Sequence, residues 1–178
     1  MTSNAQAVAV GGVVSIKDKF TIGLILLFST ISLTLTLYWL IHHQEMEIRS
    51  DLFARLLSIY WPADRTYRIP GYSVEKAFTL SLEGVNVLVT PLLSAVLIFA
   101  ILRHARYRYA LQLMIATYTT YGALLYYSVA HISGYAVITE HRFGNYLLFY
   151  LVNLPWVAAY AWMGWDAYCA LVRNARAG

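Results

Sequence analysis

Charge is scarce in this chain. Only 12% of its 178 residues are Asp, Glu, Lys or Arg, while 60% are apolar, a balance far from the quarter or so of charged residues in water-soluble domains. A membrane protein is the expected class. Cysteine is almost absent. The single Cys169 can close no internal disulfide, and no Cys or His stands near it at metal-ligand spacing, so no metal site is expected. There is no Gly-rich phosphate loop, paired-Cys motif, metalloprotease helix signature or nucleophile elbow, which removes the common soluble-enzyme classes. The net charge of +4 does not point to nucleic acid, because the basic residues lie in short inter-helix loops rather than along one solvated face.

What is abundant is hydrocarbon and aromatic surface. Four apolar stretches, 20–41, 77–102, 109–130 and 143–172, reach the roughly 20 residues a helix needs to cross a bilayer core. The first and third carry no charge, the second only Glu83 and the fourth only Asp166. Runs such as Leu24 to Leu27 do not alternate as barrel strands do. The expected fold class is therefore an all-α integral membrane protein, a bundle of four transmembrane helices over 20–172 with one structured loop between helices 1 and 2. Residues 1–19 are expected to be a disordered cytosolic tail and 173–178 a second short tail. The first apolar run is too long for a cleaved signal peptide and is expected to serve as the targeting signal. Fifteen tyrosines and five tryptophans suit helices that line a cavity or meet lipid headgroups.

The one long connection joins the first two spans. Its stretch from Trp61 to Tyr72 is polar and punctuated by proline, so a structured cap is expected there. Residues 51–60 read as a short interfacial helix, with Leu52, Phe53, Leu56, Leu57 and Tyr60 on one face. Lys17, Lys19, Arg103, Arg106, Arg108, Arg173 and Arg176 share one side of the bilayer in this topology, against six basic residues diluted over longer loops on the other. That asymmetry places both termini in the cytosol. No internal repeat or second domain is visible.

An ionisable side chain inside an apolar span is costly, by about 2.5 to 3.5 kcal/mol at the helix centre, and normally faces the protein interior. Glu83 is the prime case. Asn86 and Thr90 follow it at i+3 and i+7, one polar stripe on the second span, and Asn153, Trp156 and Tyr160 repeat that spacing on the fourth. Two such stripes facing each other would enclose a pocket. The alternative is that Glu83 and Asn153 are interhelical glue, a reading that weighs less for Glu83 than for Asn153. The chemical reading is that a desolvated carboxyl holds its proton near neutral pH and delivers it to an alkene or epoxide, with indole and phenol faces sheltering the cation. His131, at the end of the third span, reads either as a proton relay or as an interfacial residue. Tyr118, Tyr121, Tyr126 and Tyr127 are cavity-lining or belt residues, and Asp166, close to Arg173, is an interfacial charge.

These pieces resemble the emopamil-binding protein family, the EXPERA-domain membrane proteins that include sterol Δ8-Δ7 isomerases and the sigma-two receptor group, over about residues 20–172. The resemblance rests on Asp64 with Tyr67, Glu83 with Gly84 and then Pro91, and Leu111 to Leu113. It continues through Tyr121 to Tyr126, His131 with Gly134, Asn153 with Trp156, and Asp166. It implies a lipid-like ligand held in the endoplasmic reticulum membrane and acid-base chemistry without a cofactor. Glu83 and His131 would be the catalytic residues, and Asn86, Tyr121, Asn153, Trp156 and Tyr160 would bind substrate. The implied partners are a hydrophobic small molecule and the bilayer, with no nucleic acid and a homodimer left open. The implied activity is an isomerase or cyclase for an isoprenoid, sterol-like or other polycyclic metabolite in specialised metabolism, or alternatively non-catalytic lipid binding. The sequence departs from the family where its first-span His-x-x-x-Glu pair falls on Ser32 and Thr36, unless the register shifts to His43 and Glu47. Ala123 and Ala130 replace two further acidic residues.

Overall fold

The computed structural model describes residues 14–177, all of them in helices, turns or loops. Helix α1 (Ile16–Ile31) starts at Ser15, whose hydroxyl accepts the Asp18 N–H at 3.1 Å. It runs through a π-helical segment (Ser32–Thr36) into α2 (Leu37–His42), making one rod from Ile16 to His42. The rod therefore begins before the expected Phe20, and Ile16 to Lys19 are helical rather than part of a tail. Residues 1–13 of that expected tail lie outside the described residues. The earlier start has a local cause, since Ser15 caps the helix and Asp18 sits in the first turn, where a negative charge complements the helix dipole.

Helix α3 (Leu52–Ser58) is capped by Asp51, which accepts the N–H groups of Phe53 and Ala54. The hydroxyl of Tyr38 and the guanidinium of Arg49 also donate to Asp51, and these bonds, led by that from Tyr38, hold its pKa down at about 2. A 3-10 turn (Arg65–Tyr67) follows, then α4 (Val74–Leu102), α5 (Arg108–Ile132) and α6 (Phe143–Ala177). Helix α6 continues through 173–177, so these residues extend the helix instead of forming a tail; Gly178 lies outside the described residues. Helix α5 stops where Gly134 takes a left-handed φ of 61°, a conformation glycine adopts without penalty. The Tyr135 N–H then returns to the Ala130 carbonyl at 2.7 Å.

Among the described residues, three helices are long and apolar enough to cross a membrane: Ile16–His42, Val74–Leu102 and Phe143–Arg176. Large apolar side chains such as Leu26, Leu88, Leu92, Phe99, Leu151 and Leu154 project from them unburied, an apolar surface that needs lipid rather than water. Helix α5 has 25 residues but is diluted by Gln112, Thr117, Thr119, Thr120 and its tyrosines, and is not among the three.

The half of the protein near Ser15 is closed. Ile25 and Phe28 of α1, Leu97 and Ile101 of α4, Ile115 and Ala116 of α5, and Tyr160 and Met163 of α6 form one buried cluster. A Cβ on Gly164 would meet that of Ala116 at 3.2 Å, so a small residue lets α5 and α6 approach. Gln112 seals the contact by donating to the Met163 carbonyl at 2.9 Å. Two ion pairs tie this end, Arg108 to Asp18 at 3.2 Å and Lys17 to Asp166 at 3.0 Å. Asp166 thus pairs across the fold with Lys17, not with Arg173 one helical stretch away.

Candidate functional site

The opposite half is hollow. A cavity of about 310 Å³ is walled by the π-helical segment, α3 and the residues after it, and α4, α5 and α6, a volume at the lower end of the range for small-molecule sites. Its polar side is built on Glu83. The Tyr67 hydroxyl donates to Glu83 Oε1, and Asn86 Nδ2 donates to Oε2 at 3.2 Å. Asn86 reaches the carboxyl because one helical turn separates them on the same face.

Tyr67 arrives from the loop, and its position is fixed twice. Asp64 caps the 3-10 turn by accepting the Thr66 N–H at 2.8 Å and the Thr66 hydroxyl at 2.6 Å. Trp39 Nε1 donates to the Tyr67 carbonyl at 3.1 Å, with the two rings 4.5 Å apart. On its other side the Tyr67 ring meets Tyr60 edge-on at 5.5 Å. Tyr60 in turn accepts a hydrogen bond from Asn153 Nδ2 at 3.0 Å and lies 3.2 Å from the Tyr126 hydroxyl, which donates to Asp64. Burial pushes the Tyr60 and Tyr67 phenols above their usual range. Burial likewise raises the Asp64 carboxyl to about 6, against the opposing effect of its Thr66 and Tyr126 donors.

The aromatic wall comes from α6. Trp156 stacks on Phe28 at 4.1 Å and faces the cavity, and Tyr160 follows one turn later. The Tyr160 hydroxyl is buried and has no protein hydrogen-bond partner. Both stripes read from the sequence, Glu83 with Asn86 and Thr90, and Asn153 with Trp156 and Tyr160, line this one cavity.

Two other expected site residues are not brought here. His131 is exposed, with Nδ1 3.3 Å from the Tyr135 hydroxyl, and does not line the cavity. Tyr121 is 65% exposed and borders a shallow groove beside Ala116 and Gly164 instead. The face of α5 that meets the cavity carries Thr119, Gly122, Ala123 and Tyr126, which leaves Tyr121 pointing elsewhere. Of the four tyrosines of α5 considered, only Tyr126 lines the cavity; Tyr118 hydrogen-bonds Thr90 and Tyr127 packs on Tyr150.

The two candidate pairs of the first span lie in different places. Ser32 and Thr36 both lie in the π-helical segment and in the cavity wall. Glu47 is engaged by Arg68 at 3.0 Å, and His43 Nδ1 lies 2.8 Å from the Leu40 carbonyl, neither of them lining the cavity. A π segment in a long helix is a common mark of a functional site. Among the described residues lining the cavity, Glu83 is the one carboxyl, and no histidine joins it.

Sequence reasoning did not find Tyr60 as a site residue. It reads as the end of an interfacial apolar face with Leu56 and Leu57, but that end of α3 and the turn after it wall the cavity instead. Nor did it find that Asp64, a motif residue without a role, is joined to the cavity wall through Tyr126. Those contacts span 62 and 66 residues of chain, beyond the reach of any local pattern.

A family model described as EXPERA (EXPanded EBP superfamily) matches residues 52–167. The chain belongs to this superfamily, which includes sterol isomerases and sigma receptor-like proteins. No curated protein sequence matches the chain.

Proposed function

We propose that this EXPERA superfamily member is a membrane-embedded acid-base isomerase or cyclase, acting on a hydrophobic isoprenoid, sterol-like or other polycyclic metabolite. The observation that carries the reading is the placement of Glu83: one carboxyl, held by a phenol and an amide, on the wall of an otherwise mainly apolar cavity that also presents the indole of Trp156. A carboxyl so positioned transfers a proton to or from carbon, and the indole face stabilises the cation between the two steps. Asn86 and Asn153 orient their neighbours, and proton moves alone rearrange the double bonds, so no cofactor is needed.

In this reading α5 is the fourth membrane-crossing helix, both termini face the cytosol, and the membrane is that of the endoplasmic reticulum. Ser32 and Thr36 in place of a His and a Glu lean the activity toward specialised metabolism rather than housekeeping sterol synthesis. The same substitution favours a second reading, non-catalytic lipid binding in the manner of the sigma receptor-like branch, because it removes proton-transfer groups while leaving a cavity.

One experiment separates them. Protein purified in mild detergent is extracted, and the co-purified lipid is identified by mass spectrometry for the wild type and for Glu83→Gln. An enzyme accumulates unconverted substrate in Glu83→Gln, whereas a binding protein carries the same molecule in both. An empty cavity in both sinks every ligand-based reading.

A further inference from the structure

We propose that Tyr60, Tyr126 and Asp64 form a proton-conducting chain from the cavity wall to a buried carboxyl, giving the site a second acid-base terminus beside Glu83. The inference rests on the acid-base reading above and deepens it. The substrate class it selects is one in which a proton is added at one carbon and removed from another.

The polarity of the chain follows from counting protons. The Tyr126 hydroxyl donates to Asp64 Oδ2, so its only proton is committed. The proton in the 3.2 Å contact between the two phenols must then belong to Tyr60. Asn153 Nδ2 donates to the Tyr60 oxygen at 3.0 Å, which leaves that oxygen a second lone pair. Tyr60 and Tyr126 line the cavity while Asp64 does not. Both O–H groups in the series therefore point along it, from Tyr60 to Tyr126 and from Tyr126 to the Asp64 carboxylate.

The carboxylate is more than a turn cap. Its cap function uses Oδ1, which takes both Thr66 bonds; Oδ2 is reserved for Tyr126. Asp51 caps α3 in the same way from an exposed position with Arg49 beside it, whereas Asp64 is 0% exposed. Among the described residues no cation pairs with it. The titratable groups around it are Tyr60, Tyr67, Tyr126 and Glu83, with Thr66 and Thr79 as neutral neighbours. An unpaired buried carboxylate is a cost that capping alone does not require.

The step balances as follows. A proton from the Glu83 carboxyl forms the new C–H bond and leaves a carbocation. A second C–H bond then breaks, and its electron pair closes the new C=C bond. That proton passes to the Tyr60 oxygen as Tyr60 hands its own to Tyr126 and Tyr126 hands its own to Asp64 Oδ2. Both phenols end neutral, Asp64 ends protonated and Glu83 ionised, and exchange with solvent restores the pair.

The test needs no substrate. Full-length protein in lipid nanodiscs is followed by infrared spectroscopy across pH, with carboxyl-¹³C-aspartate labelling to assign the protonated aspartic acid band even if Asp64→Asn fails to fold. Expected is an aspartate band that titrates with a midpoint near 6. Its midpoint should rise by ~1 unit in Tyr126→Phe, which removes one hydrogen bond to the charged form. It should rise by a smaller, measurable shift in Tyr60→Phe, which touches Asp64 only through Tyr126. A midpoint unmoved by Tyr60→Phe, or no titrating aspartate band, overturns the chain and leaves the cavity reading standing. A coupled titration in a protein whose cavity proves empty overturns the catalytic role of the chain together with the reading it rests on.

Discussion

The two halves of this protein are built from the same four long helical segments, yet they solve opposite problems. Around Phe28, Leu97, Ile115 and Met163 the segments close on carbon; one glycine permits the close approach, and the polar groups include Gln112, two ion pairs and the buried hydroxyls of Thr21, Ser94 and Tyr160. Toward the loop the same segments enclose a cavity whose wall holds two hydrogen-bonded sets, Glu83 with Tyr67 and Asn86, and Tyr60 with Asn153 and Tyr126, in contact through the Tyr60 and Tyr67 rings. The loop closes this half through Asp64 and Tyr67, pinned to the end of the first rod by Trp39 of α2. The contrast shows that the packed end can hold the register of the helices while the open end carries groups whose burial is unfavourable.

Four perturbations test the contrast. The largest effect is expected at the open end: Glu83→Gln should lower turnover of the identified substrate by ~100-fold or more while leaving the yield of folded protein near wild type, as read by size-exclusion chromatography. An equal loss of folded protein would mean that Glu83 is structural glue. At the closed end Leu97→Ala should do the reverse, lowering stability by about 2 to 5 kcal/mol in a thermal melt while the remaining folded protein keeps its ligand.

The third perturbation is pH. The Asp64 carboxyl titrates near 6 when folded, above its ordinary value of 3.8, so the folded protein binds the proton more tightly than the unfolded chain. Its contribution is fully present below about pH 4 and is lost as pH rises through about 6, a total of about 3 kcal/mol for a shift of this size. A melting temperature that falls over this window in the wild type, relative to Asp64→Asn, is the expected result; the same pH profile in both would remove the assignment. The smallest effect is at the closed rim, where Lys17 is 61% exposed. Lys17→Ala should cost under about 1 kcal/mol, and a larger loss would show that water does not replace the lysine at Asp166, whose side chain is only 11% exposed.

Much of the site could be read from spacing. Glu83, Asn86 and Thr90, and likewise Asn153, Trp156 and Tyr160, share faces because i, i+3 and i+7 do so on any helix, and all six reach the cavity. Helix α5 resisted the same treatment. Its tyrosines are spread around the helix, so composition alone did not distinguish Tyr126, which faces inward, from Tyr121, which does not. His131 looked available for chemistry because of its residue type, but it sits exposed in the last turn of α5, beyond the cavity.

A helical membrane protein is legible from scarce charge and long apolar runs that do not alternate, because in lipid the backbone must satisfy its own hydrogen bonds and such runs do not suit a barrel. Helical spacing likewise fixes which groups share a face within one helix. The packing of the helices was needed to see that Ser32 and Thr36, rather than His43 and Glu47, stand at the cavity. It was needed as well to see that the loop residue Asp64 meets the wall through Tyr126, 62 residues away in the chain. Those outcomes depend on how segments tens of residues apart come to pack, and the energy that selects them resides in contacts no local period encodes.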